Sequence, residues 1–260
     1  MKRALLKITL AFSLMMLSLP SVVCAGYISI DSFDTGSMVL TARNPLKPTA
    51  AGYDDSVDAN ATLWGMRRAV LSAFTPTNQI SGLYVNYNGV SPVSPGLQLY
   101  SLGTSLSSAW LVYDAVPYGS KNPTIADPFG GSPSNFKYDF TEVVGANGSL
   151  ELDNITVNTS SPVNVALYFR DNDSWAKVDT TLTTTNQLLI NFSNWSNQGI
   201  DFAQITGFSM FIEGLTGGSL SIGSIGASGS GPAPVPEPST YLLMGIGLLG
   251  AVVLRRRSKV

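Results

Sequence analysis

The chain reads as all-β: a single antiparallel β-sandwich between two apolar terminal segments. Three observations predict it. Apolar and polar residues alternate at period two through most of residues 26–225, turn-forming pairs recur between the alternating runs, and no amphipathic helical pattern reaches ten residues. Period two places successive side chains on opposite faces of a strand, which suits a sheet with one buried face. With 44% hydrophobic residues in 260, the chain is long enough to bury a sizeable core.

The N-terminus opens on Lys2, Arg3 and Lys7, continues with the apolar run Ile8–Leu19, and passes Pro20 to Val23-Cys24-Ala25. A positive start, a short apolar stretch and small residues at the end are the parts of a secretory signal peptide, residues 1–25. Val23 and Ala25 occupy the −3 and −1 positions, so the mature chain begins at Gly26. As a helix the run spans about 18 Å, short of the ~30 Å hydrocarbon core, which argues against a permanent anchor. Lipoprotein processing at Cys24 is the rival; it favours a small residue before the Cys, where this chain has Val23. Cleavage after Ala25 removes the only cysteine, leaving a body held by packing alone.

Between Gly26 and Ile225 three segments alternate most cleanly: Phe136/Tyr138/Phe140, Val163/Val165/Leu167/Phe169 and Phe208/Met210/Ile212. Ten more candidate strands are Ile28–Phe33, Met38–Thr41, Trp64–Ala73, Gly82–Tyr87, Leu97–Leu102, Trp110–Tyr113, Ser149–Val157, Trp175–Leu182, Gln187–Phe192 and Ser219–Ile225. Asn88-Gly89, Gly130-Gly131, Asn147-Gly148 and Gly217-Gly218 supply turns between them. Thirteen strands at this spacing predict one sandwich domain over 26–225, and residues 226–234, rich in Gly, Ser and Pro, read as a linker. The opening Ile30-Asp31-Ser32-Phe33-Asp34 and the ending Ile205–Glu213 with Ser219–Ile225 resemble the first and last strands of galactose-binding-like jelly rolls. That family often carries an acidic residue in its last strand, where this chain has Gly223 or Ser224. The resemblance implies a jelly-roll-like fold and leaves function to the residues.

Several residues invite a ligand. Asp171-Asn172-Asp173-Ser174 joins two strands; its oxygens suit either a structural Ca²⁺ through Asp171 and Asp173 or a plain hairpin turn. Tyr53-Asp54-Asp55-Ser56-Val57-Asp58 is the densest acidic cluster and reads as a solvated loop, with Ca²⁺ or sugar hydroxyls as the alternative. Trp64, Trp110, Trp175 and Trp195, with Tyr84, Tyr87 and Tyr168, offer flat faces of the kind that stack on sugars, or core packing. Trp195 and Trp175 are the ligand candidates, Trp195 because Ser193, Asn194, Ser196 and Asn197 surround it. Glu142, Glu151 and Glu213 are placed in strands, and paired carboxylates of glycosidase type cannot be singled out by spacing alone. Seven Asn-x-Ser/Thr triplets and the threonines at 180–181 and 183–185 follow from a composition rich in those residues.

The C-terminus joins Val235-Pro236-Glu237-Pro238-Ser239-Thr240 to the apolar run Tyr241–Leu254, then to Arg255-Arg256-Arg257. This is a stiff Pro-x-Pro entrance, a transmembrane helix over 241–254 of about 21 Å, and a basic stop that the positive-inside rule places in the cytoplasm. The arrangement over 235–260 resembles the PEP-CTERM sorting tail of exopolysaccharide-producing Gram-negative bacteria, also named the ice-binding-protein C-terminal domain. The resemblance implies an exosortase, a membrane transpeptidase, as partner. It also implies transient anchoring in the inner membrane and release to the cell surface or extracellular space.

Composition closes off other classes. The chain has no His and one Cys, which removes His-based triads and Cys/His metal centres. Only 12% of residues are charged. From Gly26 to Gly231 eight basic residues face sixteen acidic ones, a surface that repels nucleic acid. The resulting expectation is an exported, non-enzymatic protein without cofactor, save the Ca²⁺ alternative, with exopolysaccharide as a candidate partner. A glycan-active hydrolase and a purely structural matrix protein are the alternatives.

Overall fold

The computed structural model describes residues 25–34, 36–42, 49–54, 63–64, 67–74, 80–86, 96–114, 121–132, 135–172 and 174–230. Twelve antiparallel strands and two short helices make up this body, the β-sandwich class that the alternation predicts. The signal segment before Ala25, the sorting tail and its helix over 241–254 lie outside the described residues. Among the described residues no helix is long and apolar enough to cross a membrane.

Two long strands organise the sandwich. β6 (Leu97–Tyr113) and β11 (Gly207–Ile222) pair antiparallel from Phe208↔Tyr113 to Ile222↔Leu97. Sequence splits each of them in two, because their alternation breaks near Gly103 and near Gly214-Gly217-Gly218. Those glycines bend the strands without ending them. Gly103, Gly214 and Gly217 have φ of 61°, 66° and 53°, and a Cβ at Gly217 would sit 2.8 Å from the Gly103 carbonyl oxygen.

The bend lets each long strand serve two layers. In the first layer the C-terminal half of β6 pairs with β4 (Arg67–Phe74), which pairs with β3 (Thr49–Asp54). The N-terminal half of β11 pairs with β8 (Val163–Arg170), and β8 with β9 (Trp175–Leu182). In the second layer the other half of β6 pairs with β5 (Ser81–Val85), and β5 with β2 (Met38–Ala42). The end of β11 meets β7 (Ser149–Asn158), which also pairs with β10 (Thr185–Asn191) and β12 (Ser224–Ser230). β12 in turn pairs with β1 (Ala25–Asp31).

One apolar cluster draws on both layers, with Leu71, Leu111, Phe169 and Met210 from the first and Ile30, Leu83, Leu99 and Leu152 from the second. At one end it becomes aromatic: Phe192 stacks on Phe202 at 4.0 Å, and Phe140 and Trp195 meet Phe169 edge-on at 5.8 and 5.1 Å.

Three expectations are corrected here. Phe136, Tyr138 and Phe140 do not form a strand: Tyr138 makes one bridge to Ile205, and Phe140 opens helix α1 (Phe140–Val144). Asp139 caps that helix, its carboxylate accepting from the Glu142 N–H at 3.0 Å, and the cap overrides the alternation. Glu142 therefore lies in a helix. Trp195 is fully buried in helix α2 (Ser193–Ser196), where its indole N–H donates to the Leu167 carbonyl at 3.1 Å. Its polar neighbours occupy the solvent side of a single turn.

The third correction concerns the linker. Residues 226–230 are strand, since β12 lies between β1 and β7 with Ala227 fully buried. Small residues are required there by close approach. Gly26 and Gly229 pair with each other, and a Cβ on either would fall 1.8 or 2.2 Å from the carbonyl oxygens of Val143 and Val144.

Candidate functional site

The outer face of the first layer carries the chemistry. Even-numbered residues of β8 and odd-numbered residues of β9 point away from the core, so Asn164, Ala166, Tyr168 and Arg170 stand beside Thr181, Asp179, Lys177 and Trp175. Further in, Trp110 stacks on Phe211 at 4.5 Å and lies 5.6 Å from Tyr168, giving this face a small apolar patch of its own.

Two buried arginines fix a loop over one end of the face. Arg68 pairs with Asp114 at 2.9 Å, and Arg170 lies 3.7 Å from the same carboxylate. Arg68 donates to the carbonyls of Lys121 and Phe129, and Arg170 to that of Gly131 at 2.8 Å. The Arg170 guanidinium covers the Phe129 ring at 4.3 Å. Burial draws the Arg170 pKa below its ordinary value, and the nearby Asp114 and Asp127 oppose that shift. The two cations thus pin segment 121–132 through its backbone carbonyls and the Phe129 ring.

Between that loop and the β8–β9 hairpin lies a cleft of about 330 Å³, lined by Asp127, Phe129, Arg170, Asn172, Ser174 and Trp175 among others. Trp175 is 41% exposed, a large ring left open to solvent, and meets Tyr168 edge-on at 5.7 Å. Asp127 accepts from the Gly130 N–H at 2.9 Å, closing its own turn. A second cleft of about 350 Å³ lies further along the hairpin, among Asn164, Ala166, Lys177, Asp179, Thr181 and Glu213. Lys177 and Asp179 pair there at 2.8 Å, and the carboxylate holds the ammonium pKa above its usual value.

Of the ligand candidates read from sequence, Trp175 is at a cleft and Trp195 is in the core. Asp171 lines the first cleft, but its carboxylate accepts from the N–H groups of Ser174 at 2.8 Å and Asp201 at 3.0 Å. It fastens the hairpin to the segment before β11. Asp173, the other member of the Ca²⁺ alternative, lies outside the described residues, as do Tyr87, Asn60 and 55–58. Among the described residues no group of three or more His, Cys, Asp or Glu could hold a metal ion. Trp64 and Trp110 are buried, and Tyr84 is stacked on Tyr100 at 5.1 Å with their hydroxyls 2.8 Å apart. Sequence reading missed Arg68, Arg170, Asp114 and Asp127. The parity of Arg170 within an alternating strand was the available signal, since it places that charge on the same face as Tyr168.

A second polar cluster sits on the opposite outer face. Glu151 accepts from Gln187 at 2.5 Å, and Asp153 accepts from Ser224 at 3.2 Å. Burial first, then the charge of Glu151, raises the Asp153 pKa above its ordinary value.

Comparison with known families matches the PEP-CTERM protein-sorting motif to residues 234–257, which include all of the Val235–Thr240 entrance and Arg255–Arg257. The motif implies exosortase-sorted export. Comparison with curated proteins finds no match. Among solved structures, the body is similar to a family 11 carbohydrate-binding module from Clostridium thermocellum in complex with a β-1,3-1,4-mixed-linked tetrasaccharide. Identity is 9%, coverage is 80% of this chain and 98% of that one, and the TM-score is 0.39. A family 30 carbohydrate-binding module of a Clostridium thermocellum cellulosomal cellulase is 15% identical, with coverage of 78% and 97% and a TM-score of 0.35. Likeness at this level leaves ligand and activity to the residues of this chain.

Proposed function

We propose that this is an exported protein, delivered through its PEP-CTERM tail by an exosortase, whose sandwich binds glycan without cleaving it. The tail anchors the chain in the inner membrane until processing, and the body then acts at the cell surface or in the extracellular matrix. The observation that carries the binding reading is the Trp175 ring, 41% exposed at the mouth of a cleft that it shares with Asp127, Arg170, Asn172 and Ser174. A pyranose offers an apolar C–H face and a rim of hydroxyls, and this lining offers an indole face beside carboxylate, amide, hydroxyl and guanidinium groups.

The non-enzymatic part of the reading is supported by what the cleft's carboxylates already do. Asp171 holds two backbone N–H groups and Asp127 holds one, whereas acid/base hydrolysis needs two carboxyls poised over a glycosidic bond.

Affinity electrophoresis of the full chain in detergent, against gels containing soluble matrix polysaccharides, tests the proposal. Retardation that Trp175→Ala removes without lowering the melting temperature is the expected result. Shortening of the polysaccharide overturns the non-enzyme reading, and free migration in every gel favours a structural matrix protein. Intact-mass analysis of the exported protein tests sorting, which a mature chain still ending in Arg255–Val260 would exclude.

A further inference from the structure

We propose that the ligand is the interior of a linear, uncharged glycan lying along the β8–β9 hairpin across both clefts. The inference rests on the glycan reading above. Both clefts open on one face, because Trp175, Lys177, Asp179 and Thr181 share a parity in β9 and pair with Arg170, Tyr168, Ala166 and Asn164 of β8. From Trp175 to Thr181 the strand advances about 20 Å at ~3.3 Å per residue, the length of several consecutive sugar rings rather than one. β9 pairs only with β8 among the described strands, and Gln198 donates to its Lys177 carbonyl at 2.9 Å, so the track open to a glycan chain is the outer face of the hairpin rather than its edge.

The floor between the clefts is continuous. Tyr168 and Lys177 are cross-strand partners midway along, and Ala166, opposite Asp179, keeps the far cleft low. Its small side chain leaves room between the Lys177–Asp179 pair and Glu213. Polar groups recur along this path at Asn172, Lys177, Asp179, Asn164 and Glu213, each able to meet ring hydroxyls. A site for one terminal sugar would need only the first cleft and a wall beyond it.

Charge selects among polymers. Asp127, Asp171, Asp179 and Glu213 outnumber Arg170 and Lys177 along the path, so a polyuronate meets a net negative wall. A hydroxyl-rich neutral chain meets donors and acceptors without that penalty.

The test is calorimetric titration of the full chain in detergent with a soluble neutral linear β-glucan, its oligosaccharides of increasing length, and alginate. Affinity should rise at least tenfold from the disaccharide to a hexasaccharide and then level off. The double variant Asn164→Ala/Glu213→Ala, altered at two exposed positions, should lose about tenfold for the hexasaccharide and nothing for the disaccharide. Trp175→Ala should weaken both. A disaccharide binding as tightly as the polymer, or a double variant with wild-type affinity for the hexasaccharide, overturns the two-cleft inference and leaves the glycan reading standing. Tighter binding of alginate than of the neutral chain overturns the assignment of charge. No heat with any of the three sinks the glycan reading itself.

Discussion

Replacing Asp31 by Ala should destabilise the body strongly. Asp31 and Arg67 are both fully buried, joined by two contacts of 2.6 Å, and the carboxylate also accepts from the Tyr113 hydroxyl and the Phe33 N–H, each at 2.8 Å. The guanidinium lies 5.3 Å from the Phe33 ring centre. The bridge ties β1 of the second layer to β4 and β6 of the first. Removing the carboxylate strips a buried cation of both charge-assisted bonds, and breaking a buried pair in this way costs about 3–5 kcal/mol. For a body of this size each kcal/mol lowers the melting temperature by about 2–4 °C, so the variant should melt roughly 6–20 °C below wild type. The companion double variant Asp31→Leu/Arg67→Met carries no buried charge at this position and should recover part of the loss, since apolar replacement of a buried pair is often neutral or better while the Tyr113 hydroxyl and Phe33 N–H still lose their acceptor. Scanning calorimetry of the full chain and its variants reads both numbers. An Asp31→Ala protein melting within about 2 °C of wild type, or a double variant melting below the single one, would refute the reasoning.

Three further outcomes follow from the same geometry. Asp153 holds its proton more tightly in the folded body than in the unfolded chain, so its contribution to stability is present below the ordinary carboxylate value of 3.8 and lost as pH rises through its raised folded value. Melting temperature should therefore fall at this group as pH rises above the ordinary carboxylate value, and Asp153→Asn should flatten that slope; an unchanged slope would contradict the assignment. Gly229→Ala drives a Cβ toward the Val144 carbonyl oxygen and should cost about 1–3 kcal/mol, seen as early loss of β-sheet circular dichroism on heating. Trp195→Ala should cost about 3–5 kcal/mol by opening a core cavity while glycan affinity of the folded fraction stays at the wild-type value; lost affinity without lost stability would return Trp195 to the binding face.

Much of the sandwich is legible in order. Val163–Arg170 and Trp175–Leu182 have the strand limits that their alternation predicts, because in each one set of alternate side chains packs in the core and the other set faces away from it. Two of the misreadings share a cause: local pattern yields to a contact far away in sequence. Gly226–Ser230 has linker composition, yet the carbonyls of α1 press on Gly229 and leave no space for larger residues. Gly103 and Gly217 look like strand ends, yet they touch across the β6–β11 ladder and only bend it. Trp195 stands among Ser and Asn, yet a single helical turn is enough to bury one side chain and expose the rest. The candidate site was half visible, Trp175 by its type and Arg170 only by its parity.

The sequence by itself determined the class of the fold and the presence of the sorting motif, because alternation is a local property and the sorting tail is a contiguous string recognised as such. It also excluded His chemistry outright. Only the tertiary structure decided which aromatic rings meet solvent and which carboxylates are already engaged. Those facts depend on residues such as Arg68, Asp114, Lys121 and Arg170 arriving at one place from distant strands and loops. Burial and partnership are sums over the whole packed chain, and no window along the sequence contains them.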